Sequence, residues 1–137
     1  MRRLTNIMPF IVMICCLTLT ATTAFAEGDP VKGKKDFKKC TICHSIEEGK
    51  KKIGPSLFKS FDKTAGTVKG FKYSKSYVKA GEKGLKWDKE NLIAYLENPK
   101  QFLKTYLDQN KVKTRMLLKV KKLQTRENIV AYLESLK

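Results

Sequence analysis

Apolar residues recur along the chain at the three-to-four-residue spacing of helices, and there is little of the two-residue alternation that marks strands. Asp29-Pro30 reads as an N-cap followed by a first helical residue, opening a lysine-rich helix that runs toward Cys40. Its apolar face is thin, chiefly Val31 and Phe37, with Gly33 between them. From Glu47 to Lys86, glycines at 49, 54, 66, 70, 81 and 84 and a proline at 55 predict loop with at most short helices. Asp88 predicts the cap of a helix that carries Leu92, Ile93 and Leu96 and ends at Asn98-Pro99. Pro99 then starts a helix with Phe102, Leu103, Tyr106 and Leu107 at helical spacing. A basic loop from Lys111 to Lys122 leads to a last helix, expected to open at Thr125 and to present Ile129, Tyr132, Leu133 and Leu136 on one face. The expected class is all-α.

The first 26 residues stand apart from this pattern. Arg2 and Arg3 precede an uncharged run from Leu4 to Ala26 with its apolar heart at Ile7–Leu19, and Ala24-Phe25-Ala26 is a small-x-small cleavage site. This is the layout of a secretory signal peptide, with an uncleaved membrane anchor as the alternative. The expected organisation is therefore a signal over 1–26 and one domain over 27–137. Removing 26 of the 137 residues leaves 111, and taking Arg2 and Arg3 from the net +16 leaves +14. Of four cysteines, one histidine and four methionines, this part keeps only Cys40, Cys43, His44 and Met116. A chain of this length buries a modest core and gains from a staple or cofactor. One histidine excludes a Cys₂His₂ finger and an HExxH protease. The basic balance calls for an acidic partner without saying which kind.

The candidate chemistry lies in Cys40-Thr41-Ile42-Cys43-His44. Two cysteines separated by two residues and followed directly by histidine form the attachment sequence of c-type haem. Thiols one helical turn apart can each add to a vinyl group of one porphyrin, and the next residue presents its imidazole to the iron. Two other readings use the same residues. A thiol–disulfide redox site usually accompanies a βαβ pattern, which is not visible here, and a zinc knuckle needs a fourth ligand beyond these three.

Together with these five residues, an ordered set of motifs resembles class I cytochrome c, most nearly the bacterial cytochromes c₂ and their mitochondrial relatives. The set comprises Gly33 and Phe37, Gly54-Pro55-Ser56-Leu57, Lys63-Thr64-Ala65-Gly66, Gly70-Phe71-Lys72-Tyr73-Ser74, Trp87, Tyr95-Leu96-Glu97-Asn98-Pro99, Thr114-Arg115-Met116 and Ile129–Leu133. The resemblance implies one covalent haem c, thioethers from Cys40 and Cys43, and His44 and Met116 as axial ligands. It implies further that the Pro55 carbonyl receives the His44 Nδ1 proton, that Tyr73 and Trp87 donate to a haem propionate, that Tyr95 lies beside the Met116 sulfur, and that Thr114 belongs to the cofactor site. The first and last helices are expected to cross at Gly33 and Phe37, against Ile129, Tyr132 and Leu133. Asp62-Lys63 stands where the family commonly has Gly-Arg, which puts a lysine in place of a propionate-binding arginine. The segment from Lys100 to Arg115 is longer than in mitochondrial relatives, so the match at Met116 crosses an insertion.

The function implied is that of an exported, monomeric one-electron carrier, not an enzyme, with no small-molecule substrate and no nucleic-acid partner. Its expected partners are membrane respiratory or photosynthetic complexes with acidic docking faces. Lys39, Lys52, Lys100, Arg115 and Lys122 come from segments that surround the haem opening in the family, and like charges on one face steer a carrier toward such partners. A haem enzyme or a gas or peroxide sensor with a labile sixth ligand is the main alternative, and a CxxC thiol oxidoreductase the lesser one.

Overall fold

Asp29 begins the first helix by chemistry local to it. Its Oδ1 accepts from the amides of Val31 and Lys32 at 2.9 and 3.1 Å, satisfying donors that the first helical turn leaves free. In this computed structural model, which describes residues 27–137, helix α1 spans Pro30–Asp36 and tightens into a 3₁₀ turn over Phe37–Cys40. Residues 1–26, where the signal is expected, lie outside the described residues, and Cys15 and Cys16 with them. Then follow α2 (Lys75–Glu82), α3 (Lys89–Glu97), α4 (Pro99–Leu107) and α5 (Leu123–Glu134). Among the described residues the only extended pairing is an isolated antiparallel bridge between Thr64 and Lys86, and no helix is long and apolar enough to cross a membrane.

The expected caps are in place. Asp88 Oδ1 accepts from the Asn91 amide at 2.8 Å, Asn98 Oδ1 accepts from Gln101 at 3.2 Å, and Pro99 occupies the first position of α4. The glycine-rich stretch is loop except for α2, a short helix of eight residues. One boundary is corrected: α5 begins at Leu123, ahead of Thr125, with Lys122 as an N-cap that makes no side-chain bond. Arg126 accounts for the early start. Its buried guanidinium donates to the carbonyls of Val120 and Lys121 at 2.9 and 2.8 Å and pairs with Glu97 at 3.4 Å, fixing the chain that enters the helix.

The first and last helices cross where Gly33 predicts. A Cβ on Gly33 would overlap the Asn128 carbonyl oxygen and stand 2.9 Å from Tyr132 Cβ, so only glycine permits the approach. Phe37 packs on Tyr132 with ring centroids 5.4 Å apart. Asn128 accepts from the Asp29 amide at 2.9 Å and reaches Asp36 at 3.4 Å, touching both ends of α1.

Two apolar clusters result. One holds Phe37, Cys40, Leu96 and the buried face of α5, while the other joins Ala65, Ala80, Leu85, Tyr95, Leu103 and Leu107. Trp87 and Met116 pack against both.

Candidate functional site

The 3₁₀ turn positions the attachment sequence. The amides of Cys43 and His44 both bond to the Cys40 carbonyl, at 3.1 and 2.9 Å, so the five residues form one helical turn with Cys40 buried and Cys43 half-buried. Cys40 and Cys43 form no disulfide with each other. Burial pushes the Cys40 thiol up to about 11, overriding the opposing pull of Lys39. A redox dithiol needs the reverse, a thiol with a depressed pKa. Among the described residues no three Cys, His, Asp or Glu side chains converge as a metal-ion cage.

His44 is fixed by its neighbours. Its Nδ1 lies 2.8 Å from the Pro55 carbonyl oxygen, an atom that can only accept, so Nδ1 carries the proton and the Nε2 lone pair is left for a ligand. Burial lowers the imidazole pKa against the raising effect of that bond, with Lys52 lowering it further, and the ring is neutral at physiological pH. The structure gives Gly54 a steric reason. A Cβ there would overlap the imidazole, 2.7 Å from Nδ1, so the backbone at 54 lies against the ring.

Met116 lies on the loop that returns from α4. Its amide donates to Thr114 Oγ1 at 3.1 Å, and farther along, Val120 donates to the Leu96 carbonyl at 2.8 Å. Its side chain is half-buried against both clusters. Tyr95 and Thr114 are joined through Tyr77, which the sequence had not singled out: the Tyr77 hydroxyl lies 2.6 Å from each of their hydroxyl oxygens. Trp87 stacks obliquely on Tyr95 at 4.8 Å, and its backbone pairs with the turn at Asp62 and Lys63. Tyr73 lies half-buried, 4.8 Å from Phe71 and 6.0 Å from Tyr77, and burial raises its phenol against a lowering bond from the Val68 amide. Lys63 projects to solvent.

No protein-family model matches the chain. Cytochrome c₂ iso-2 of Rhodospirillum centenum is 44% identical over 115 residues, covering 79% of this chain and 95% of its own length. Cytochrome c₂ of Rhodospirillum rubrum is 38% identical over 126 residues, 91% of this chain and 93% of its own. The solved structure of cytochrome c₂ from Rhodospirillum centenum superposes with a TM-score of 0.76 at 43% identity, covering 80% of this chain and 98% of that one. The chain belongs to the cytochrome c₂ family. It is accordingly an all-α class I c-type cytochrome, an electron-transfer protein and not an enzyme, with one covalently attached haem c.

The donor set suits that cofactor. Two thiols one helical turn apart, a neutral imidazole with its Nε2 free and a thioether accompany an apolar cluster that includes Cys40 itself. The cytochrome's basic candidates Lys39, Lys52, Lys100, Arg115 and Lys122 are all exposed, with Lys52 Nζ bonded to the Thr41 carbonyl at 2.5 Å. Two apolar side chains beside the site residues escaped notice in the sequence: Ile42 is 74% exposed and Leu117 80%. Nothing in their local pattern separates them from core residues.

Proposed function

We propose that the chain is exported, loses its signal after Ala26, and works in the periplasm as a soluble, monomeric, diffusible electron carrier between membrane complexes. By its family, the donor is a cytochrome bc₁ complex and the acceptor a terminal oxidase or a photosynthetic reaction centre. Haem c, when bound, supplies one iron that alternates between ferric and ferrous and so holds one electron at a time.

Each residue has a defined part in this reading. Cys40 and Cys43 hold the cofactor through thioethers, which keep it from dissociating outside the cytoplasm. His44 and Met116 would hold the iron, and an imidazole together with a thioether would raise its potential and leave it closed to substrates. Tyr73 and Trp87 donate to a propionate, whose burial is costly without donors. Lys63, whose backbone pairs with Trp87, offers a point charge where the family commonly has the planar fork of an arginine. Lys39, Lys52, Lys100, Arg115 and Lys122 form the docking face for acidic partners, with Ile42 and Leu117 as its apolar contacts.

The observation that carries the proposal is the 2.8 Å contact between His44 Nδ1 and the Pro55 carbonyl. It sets the tautomer, orients the ring and makes Nε2 a better donor to iron, an arrangement that a dithiol does not require of this histidine, while a zinc knuckle lacks its fourth ligand. Visible spectra of oxidised and reduced Met116→Ala beside wild type test it. Wild type is expected to be low-spin, and the variant to turn five-coordinate or high-spin and to bind carbon monoxide. Identical low-spin spectra would remove Met116 as ligand and with it the closed iron of an electron carrier.

A further inference from the structure

Side chains from two distant segments meet at Lys137. Its Nζ lies 3.3 Å from Asp62 Oδ2, 3.1 Å from Glu134 Oε1 and 4.2 Å from the centre of the Phe61 ring. Glu134 closes α5, whereas Phe61 and Asp62 belong to the turn that pairs with Trp87. There the Asp62 amide donates to the Trp87 carbonyl at 3.0 Å, and the Trp87 amide donates to the Lys63 carbonyl at 2.9 Å. Asp62 holds φ at 61°, in the left-handed region that glycine enters at no steric cost. The family commonly has glycine at this position, so the chain carries there a residue that needs holding.

We propose that Lys137 is a positioning residue for Trp87: by pairing with Asp62 and covering the Phe61 ring it fixes the 61–63 turn to the end of α5, and the turn fixes Trp87. The inference rests on Trp87 donating to a haem propionate. The three charged side chains are each about half exposed, where a single pair would hold little. Here one ammonium serves two carboxylates and an aromatic face at once. Its removal deletes these attractions and also leaves Asp62 and Glu134 to repel each other across the gap. Phe61 is buried in the cluster against which Trp87 packs, so a shift of the turn reaches the indole through side chains as well as backbone.

Amide exchange and the reduction potential of the holoprotein test this together. In Lys137→Met the amides of Asp62 and Trp87 are expected to exchange about threefold faster, while the Val120 amide, bonded to the Leu96 carbonyl, keeps its rate. Loosening Trp87 weakens its bond to the propionate, and the less satisfied negative charge favours ferric iron. At a fixed ambient potential the ferric-to-ferrous ratio is expected to double, a fall of about 18 mV at ~59 mV per tenfold for one electron. Asp62→Asn separates positioning from bare charge, since asparagine also tolerates left-handed backbone. Losing a negative charge raises the potential and freeing the turn lowers it, so a fall is expected here too. Lys32→Met removes the same charge from an exposed pair with Asp29 at 3.4 Å and is expected to change neither the potential nor exchange at 62 and 87. Unchanged exchange in Lys137→Met, a rise in potential with Asp62→Asn, or an equal fall with Lys32→Met overturns the proposal. Trp87→Phe tells its failure from that of the reading beneath it. A lowered potential there, with Lys137→Met and Asp62→Asn at wild type, removes the clamp alone, whereas a wild-type potential in Trp87→Phe removes Trp87 as propionate donor and the proposal with it.

Discussion

Gly33→Ala sets two local rules against each other. Helix propensity favours alanine over glycine inside α1 by about 1 kcal/mol. Packing opposes it, because the added carbon overlaps the Asn128 carbonyl, and the obstacle is the backbone of α5, which cannot swing aside as a long side chain can. The two helices must part. Overpacking of this kind costs about 1–3 kcal/mol. Parting also loosens the Phe37–Tyr132 ring contact, worth ~1 kcal/mol beyond its burial, and the Asp29–Asn128 bond, worth about 1 kcal/mol. After subtracting the gain in propensity, the net destabilisation is about 2–4 kcal/mol, a large fraction of the ~5–15 kcal/mol that holds a small domain. At ~4–8 °C per kcal/mol, the melting temperature falls by roughly 8–30 °C. Thermal unfolding of the holoprotein by far-ultraviolet circular dichroism measures this, with Val31→Ala as control because that side chain of the same helix is 70% exposed. The control is expected to be neutral or slightly stabilising. If Gly33→Ala melts at or above wild type, the close helix crossing does not govern stability and the packing argument is refuted.

The Asp29 carboxyl is held below its ordinary value of 3.8 chiefly by the Lys32 amide. A carboxylate lowered on folding contributes stability above its unfolded pKa and loses it as pH falls through the folded one, so the melting-temperature gap between wild type and Asp29→Ala should be full at neutral pH and close below about pH 4; a gap that persists unchanged at about pH 2 contradicts the cap electrostatics. For the docking face, Lys100→Glu and Arg115→Glu should slow association with an acidic membrane partner at low salt and flatten its ionic-strength dependence, whereas Lys83→Glu, in the segment after α2, should not. Equal slowing by all three in stopped-flow electron transfer would mean that net charge, and not this face, does the steering.

Features set by neighbours in sequence were legible without a structure. Asp29-Pro30, Asp88 and Asn98-Pro99 cap and start helices through bonds that reach two or three residues, and the attachment sequence is a single turn of chain. Pro55 was legible through family resemblance, and the structure adds the 2.8 Å bond behind it. What escaped depends on chain brought from far away. Tyr77 sits in a glycine-punctuated stretch, and its partner Thr114 lies 37 residues on. Gly54 matters because the His44 ring lies over it, and Asn128 because both ends of α1 fold back to it. The early start of α5 has the same origin, since Arg126 secures two carbonyls that precede the helix.

The long segment between Pro99 and Met116, across which the sequence match at Met116 must be carried, is held by the fold along most of its length. Those residues do not form a slack loop. Leu103 is fully buried and Leu107 nearly so, and with Ala80, Leu85 and Tyr95 they make the second apolar cluster. Tyr106 ties α4 to the end of α2 through the Lys83 carbonyl, and Asp108 ends α4 in a left-handed turn that sends the chain back. Only the exposed turn from Asp108 to Lys111 is free of these restraints, and the strand is caught again at Lys113. The position of Met116 is thus set by α2, α3 and α4 together, not by the number of residues in the connection. A connection that builds its own core is firm despite its length, because each buried leucine must leave the cluster before the segment can move as a whole.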